Sequence, residues 1–289
     1  MRNSSLVSAA IGAASLIACF GVSPAMAAAN SVSYVSGKGS DAGGNGCASP
    51  ATPCRTFAHA LTETKAAGEI KTLDPAHYGP LTIDRAITIT GVPGAGIRMV
   101  NAGDAIVVNA SNAVVTLRGI EIDGQGLGTA GIVAYYARSL SIVDCVMRRF
   151  VNEGVAIHGG WDGMSVTIAD SISSGNGKYG VDVVPGQKPV KLSIDHVTTN
   201  DNGIAGVRAY PNATVTITDS FAENNASVGY LAVGGFPIVT TMSIGRSVAT
   251  GNPVGVQNIN AAVMQSFGDN AIIGNATNVS GTLTLVAHK

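Results

Sequence analysis

Between residues 114 and 258 one short pattern recurs six times, and it limits the chain to very few folds. A strand reading apolar-Ser/Thr-apolar leads into a polar turn, and then a glycine opens a second short strand. The first strands are Val115-Thr116-Leu117, Leu140-Ser141-Ile142, Val166-Thr167-Ile168, Leu192-Ser193-Ile194, Val215-Thr216-Ile217 and Met242-Ser243-Ile244. Their last residues lie 25, 26, 26, 23 and 27 positions apart. A fixed period in the twenties marks a solenoid, in which each repeat is one coil stacked on the last.

The spacing inside the repeat is tighter than the period. Eight residues past the last core position come Asn176, Asn202, Asn225 and Asn252, in four successive coils. The opening glycines are Gly131, Gly154, Gly180, Gly206, Gly229 and Gly255. An Asn at one fixed turn position tolerates left-handed backbone, and its amide can bond the Asn above and below. The four are therefore read as a structural ladder. Nothing in the repeat has helical spacing, and the crossover rule for parallel strands gives the hand. The expected fold is all-β: a single right-handed parallel β-helix with a short N-terminal capping helix. The expected divisions are 1–29, a secretory signal; 30–69, a loop and capping helix; and 70–289, the solenoid.

The signal reading rests on Arg2, the apolar run from Leu6 to Val22, Pro24, and the small-x-small site Ala25-Met26-Ala27. It places the protein outside the cytoplasm, secreted or periplasmic, with no membrane span. Leu16-Ile17-Ala18-Cys19 resembles a bacterial lipobox, so a lipoprotein anchored through Cys19 is the alternative. Cys47 and Cys54, seven apart in a Gly/Pro-rich loop, are expected to form a disulfide. No metal site is expected there, because no third Cys or His lies close in sequence. Thr56 should cap the helix, with Phe57, Ala60, Leu61 and Thr64 on one face and Gly68 ending it. The full chain has net charge −1, and loss of Arg2 with the signal gives −2. No basic field exists to bind nucleic acid. Oligomeric state is left open.

The Ile/Leu-Ser/Thr-Ile, Asn and Gly-Val-x-Val coils resemble the right-handed parallel β-helix, pectin-lyase-like superfamily. The opening, Pro53-Cys54-Arg55-Thr56-Phe57-Ala58-His59-Ala60, is similar to the start of secreted bacterial repeat proteins of that fold. The resemblance implies the fold and leaves the reaction open, because many functions share it. The motifs that mark polygalacturonase-like members, Asn-Thr-Asp, an Asp-Asp pair and Arg-Ile-Lys, are absent.

Stacking the repeats gives two candidate lines. Two residues past the core Leu/Ile come Gly119, Asp144, Asp170, His196, Asp219 and Arg246. Asp144 and Asp170, like charges one coil apart at about 4.8 Å, would be relieved by a cation such as Ca²⁺. Two aspartates alone fall well short of the six to eight oxygens that Ca²⁺ takes. The cofactor expectation is therefore none, with Ca²⁺ held open. The second line is the outward face of the Gly-opened strands, where Tyr135, His158, Asp182, Arg208 and Tyr210 form one patch bordered by the loop holding Trp161. Rings and paired polar groups on a flat sheet suit a sugar. The functional expectation is a secreted β-helix that binds an extracellular or cell-surface polysaccharide. The alternative is a divergent lyase, glycoside hydrolase or epimerase acting on an acidic polysaccharide. Whether the protein is an enzyme stays open.

Overall fold

A computed structural model describes residues 30–159 and 163–287. Three parallel sheets of eleven, eight and nine strands wrap one core, and each coil gives one strand to each sheet through the regular region. We call them sheets one, two and three in the order a coil visits them. Sheet one carries the Ser/Thr-centred strands. Leu117, Ile142, Ile168, Ile194, Ile217 and Ile244 pair in one register line and are buried throughout. Sheet three carries the Gly-opened strands, such as Tyr179–Val183 and Ala205–Ala209.

Sheet two corrects the repeat as read from sequence. The segment taken for a polar turn contains a third strand of three residues, as in Glu121–Asp123, Val146–Arg148, Ile172–Ser174 and Thr198–Asn200. A three-residue strand is too short to show alternation, so its polar outer residues read as turn. Its one inward residue is nonetheless buried, as with Ile122 and Met147.

The asparagine ladder is present and longer than expected. Asn176 donates from Nδ2 to Asn202 Oδ1 at 3.0 Å and from its backbone N–H to the same oxygen at 3.2 Å. Asn202 bonds Asn225 in the same way, Asn225 bonds Asn252, and Asn252 bonds Asn275. At the other end the Phe150 N–H donates to Asn176 Oδ1. The Oδ1 atoms of Asn202, Asn225, Asn252 and Asn275 thus each take two donors of the coil before, a backbone N–H and an amide, and so satisfy polar groups inside the turn. The ladder also explains the glycines that recur in phase with it. A Cβ at Gly206 would lie 2.5 Å from Thr199 Oγ1, 2.8 Å from the Gly229 carbonyl and 3.1 Å from Asn225 Nδ2.

At the N-terminal end Thr56 caps the helix Phe57–Glu63 by accepting the His59 N–H. The helix ends five residues before Gly68, because Thr64–Thr72 is a strand that pairs with Asn30–Val35. Asn30–Val35 is thus the outermost strand of sheet one. Phe57, Ala60 and Leu61 lie over the core end. Cys47 and Cys54 form a disulfide with Cα atoms 5.2 Å apart, inside the usual range. His59, in the first turn of the helix and five residues after Cys54, completes a group of three with them whose ligand-type atoms lie within 4.8 Å of one another, so a histidine does lie close, contrary to the sequence reading. Cys145 is buried, and burial pushes its thiol up to about 11. At the other end Val263–Ser266 and Leu283–Leu285 continue sheet one rather than covering it. Among the described residues no helix is long and apolar enough to cross a membrane. The signal segment 1–29, with Cys19, and Trp161 lie outside the described residues.

Candidate functional site

The second stacked line holds in register. Val133, Ala156, Asp182, Arg208, Leu231 and Gln257 follow one another across sheet three. Asp182 and Arg208 make a bidentate pair, with Nε to Oδ1 at 2.8 Å and a terminal nitrogen to Oδ2 at 2.7 Å. Their side chains are only 5% and 17% exposed. The Arg208 guanidinium also lies over two rings, 3.7 Å from the Tyr179 centroid and 4.6 Å from that of Tyr210. It donates to both phenol oxygens. Arg208 is therefore fully occupied: it orients two tyrosines and is not a free cation waiting for a carboxylate.

Farther along the same face Tyr135 and His158 stack, with centroids 5.3 Å apart and planes 16° from parallel. Tyr135 is 40% exposed and offers one ring face to solvent. No hydrogen bond or ring contact joins this pair to the Arg208 group among the described residues. The five expected residues thus form two adjacent groups rather than one.

Two members were missed from sequence, Tyr179 and Glu153. They pair with each other in register. Each stands just before an opening glycine, three residues from the outward line, where strict alternation would turn it inward. The alternation breaks at the glycine, whose carbonyl in the case of Gly180 is held by Ser173 Oγ at 2.7 Å. An aromatic or acid directly before the in-phase glycine was the available signal. Burial and the nearby Asp182 carboxylate raise the Glu153 pKa above the usual carboxylate range, against the opposing pull of Lys178 and Arg208.

Residues 104–276, more than half of the chain, match the family model for the right handed beta helix region. The chain belongs to the right-handed β-helix family. This β-helix is similar in structure to the pectate lyase Pel9A, with a TM-score of 0.60 and 17% identity over 91% of this chain and 78% of that one. An alginate lyase from Paenibacillus sp. str. FPU-7 matches at a TM-score of 0.48 and 14% identity, over 78% of this chain and 95% of that one. A mannuronan C-5 epimerase A-module from Azotobacter vinelandii gives 0.37 and 13%, over 77% and 91%. At such identities the likeness shows fold alone. No curated protein matches the chain.

The first stacked line is the corner where each coil of the β-helix leaves sheet one. Every residue in it is left-handed: Gly119, Asp144, Asp170, His196, Asp219 and Arg246 have φ between 46° and 67°. The run of aspartates there has a backbone reason, since Asp tolerates this region better than most residues. The three ligand-type side chains that converge at this corner are Asp195, His196 and Asp219, within 4.8 Å of one another. Asp144 and Asp170 belong to no such group of three among the described residues. Asp219 is held bidentate by Arg246 at 2.9 and 2.6 Å. His196 Nδ1 lies 3.0 Å from Asp195 Oδ2, and that hydrogen bond, more than the stacked aspartates, raises its pKa. A raised histidine contributes stability that is complete below its unfolded value of about 6.5 and is lost as pH rises through the folded value. In an NMR titration the His196 imidazole is expected to titrate above the ordinary histidine range, and Asp195→Asn to bring it back. An unchanged midpoint in that variant would show that the bond contributes nothing.

Glu121 and Asp123 flank the inward Ile122 and share Arg148, which pairs with Asp123 in register one coil on. Arg149 joins them on Asp123. Burial alone would raise the Asp123 pKa, but its bonds to Arg149 and to the Gln125 N–H hold it down to about 2. This cluster is structural.

Proposed function

We propose that this β-helix binds a polysaccharide across the aromatic face of sheet three and does not cleave it. The observation behind the proposal is the pre-oriented set of rings: Tyr135, exposed and stacked on the half-buried His158, and Tyr210, held through Arg208 against the buried Tyr179. Only 5% of the chain is Phe, Trp or Tyr, so three tyrosines in this region of sheet three are a concentration, the buried Tyr179 framing the site and Tyr135 and Tyr210 facing outward. Rings held by packing offer stacking area to a sugar at little entropic cost. The similarity in fold to a pectate lyase supports a polysaccharide as the ligand. The expected export signal supports an extracellular one.

A catalytic reading rests on Glu153, whose raised pKa suits a proton donor. It lacks a free partner, because Asp182 is tied to Arg208. A glycan array with the mature protein decides between the two. Saturable binding is expected, weakened roughly 2–10-fold by Tyr135→Ala, the loss of one ring contact of about 0.5–1.5 kcal/mol. The same glycans should show no new unsaturated or reducing ends. Turnover lost in Glu153→Gln would make the protein an enzyme, and an array with no binding would remove the proposal.

A further inference from the structure

Where each coil passes from sheet three back to sheet one, the β-helix has a second feature, separate from the aromatic face. A cavity of about 290 Å³ opens there, and its charged lining is entirely basic: Arg138, Lys188 and Lys191. Asn112 and Ser165 add neutral polar groups. Sheet register explains the convergence. Ser165 pairs with Lys191 of the next coil, and its N–H bonds the Arg138 carbonyl of the coil before. Arg138 and Lys191 therefore flank Ser165 from the two neighbouring coils, at roughly 4.8 Å per coil. Lys188 comes in from the connecting loop, whose Pro189 carbonyl accepts the Met164 N–H.

Among the described residues none of the three cations pairs with an acid, whereas the arginines at 148, 149, 208 and 246 all do. Three like charges around one small cavity repel one another unless an anion joins them. The chain as a whole is close to neutral, so this is a local excess and not part of a basic field.

We propose that this cavity binds a phosphate group, a tetrahedral oxyanion of nearly double charge, for which inorganic sulfate is a dianionic analogue. Charge sets the choice. A carboxylate would neutralise one of three cations, whereas a phosphate monoester carries about −1.5 to −2 and presents oxygens on several sides. An arginine fork and two lysine ammonium groups supply donors of both geometries for it. The aromatic face and the cavity share a connection: Tyr135 precedes Arg138 by three residues. A saccharide on the rings could carry the group. That carrier rests on the proposed function, but the pocket itself does not.

Isothermal titration of the intact protein with inorganic phosphate, sulfate and acetate, at matched ionic strength, tests it. Phosphate or sulfate is expected to bind at one site, about tenfold or more tighter than acetate. The Lys188→Gln/Lys191→Gln double variant should lose at least about tenfold, and Lys65→Gln, an exposed lysine at the N-terminal end, nothing. Acetate binding equally well, equal loss in the Lys65 variant, or unchanged affinity in the double variant would each overturn the proposal. Tyr135→Ala should leave ion binding intact. Ion binding without any glycan binding would therefore defeat the polysaccharide reading alone.

Discussion

Asn202→Ala is expected to lower the melting temperature by roughly 6–12 °C. The substitution removes the Oδ1 that accepts both the Nδ2 and the backbone N–H of Asn176. It also removes the Nδ2 that donates to the Ser173 carbonyl at 3.2 Å. Asn176 and Asn202 are each about 1% exposed, so water cannot take over these bonds. Each buried donor left unmade costs about 1–3 kcal/mol, and about 3 kcal/mol is a moderate total. For a chain of this size each kcal/mol moves the midpoint by about 2–4 °C. The loss should be felt first in the neighbouring coils, because each coil of a solenoid depends on those it touches. Thr214→Ala, an exposed outward change on sheet one, is the control and should melt like the parent. Equal melting of the two variants would mean that the ladder adds no stability.

The second large effect concerns Asp182. Asp182→Ala leaves a guanidinium that is 17% exposed without its bidentate partner, at a cost of about 3 kcal/mol. That is the low end for a broken buried pair, because Arg208 keeps two phenol oxygens and some solvent. The double change Asp182→Leu/Arg208→Leu should cost far less than either single loss, since no charge is then stranded. The fold supplies its own precedent: the next residue in the same line is Leu231, only 9% exposed. The double variant should nonetheless bind glycan less well, because Tyr179 and Tyr210 lose the group that orients them. Additive costs in a double-mutant cycle would show that the pair is not coupled.

Most of the fold could be read from the repeat, because one period fixes three things together. Alternation put Leu117 and its equivalents inward, stacking aligned them, and the Asn and Gly positions marked the same turn in each coil. What stayed hidden was whatever lacked period or length. The strands of sheet two have two or three residues each, too few for a pattern. The candidate site was legible only where strict alternation holds. Asp182, Arg208 and Tyr210 were placed correctly by counting from the glycine. Tyr179 was lost because it stands directly before Gly180, where strict alternation would turn it inward. At the left-handed corner a line of aspartates suggested a cation, and the backbone conformation supplies a second reason for them that the sequence alone does not separate from the first. The Arg138–Lys188–Lys191 cavity draws on three coils and a loop, so no single repeat announces it.

If sugar lies on the rings of sheet three, the chain's seven tyrosines report it directly. With tyrosine-specific isotope labelling, an oligosaccharide that binds on the array is titrated against the intact protein and the ring signals are followed. Tyr135 and Tyr210 are expected to shift with one common affinity. Tyr34, Tyr78 and Tyr230, outside this face, should stay in place. Shifts confined to the latter three, or binding with no movement at Tyr135 and Tyr210, would contradict it.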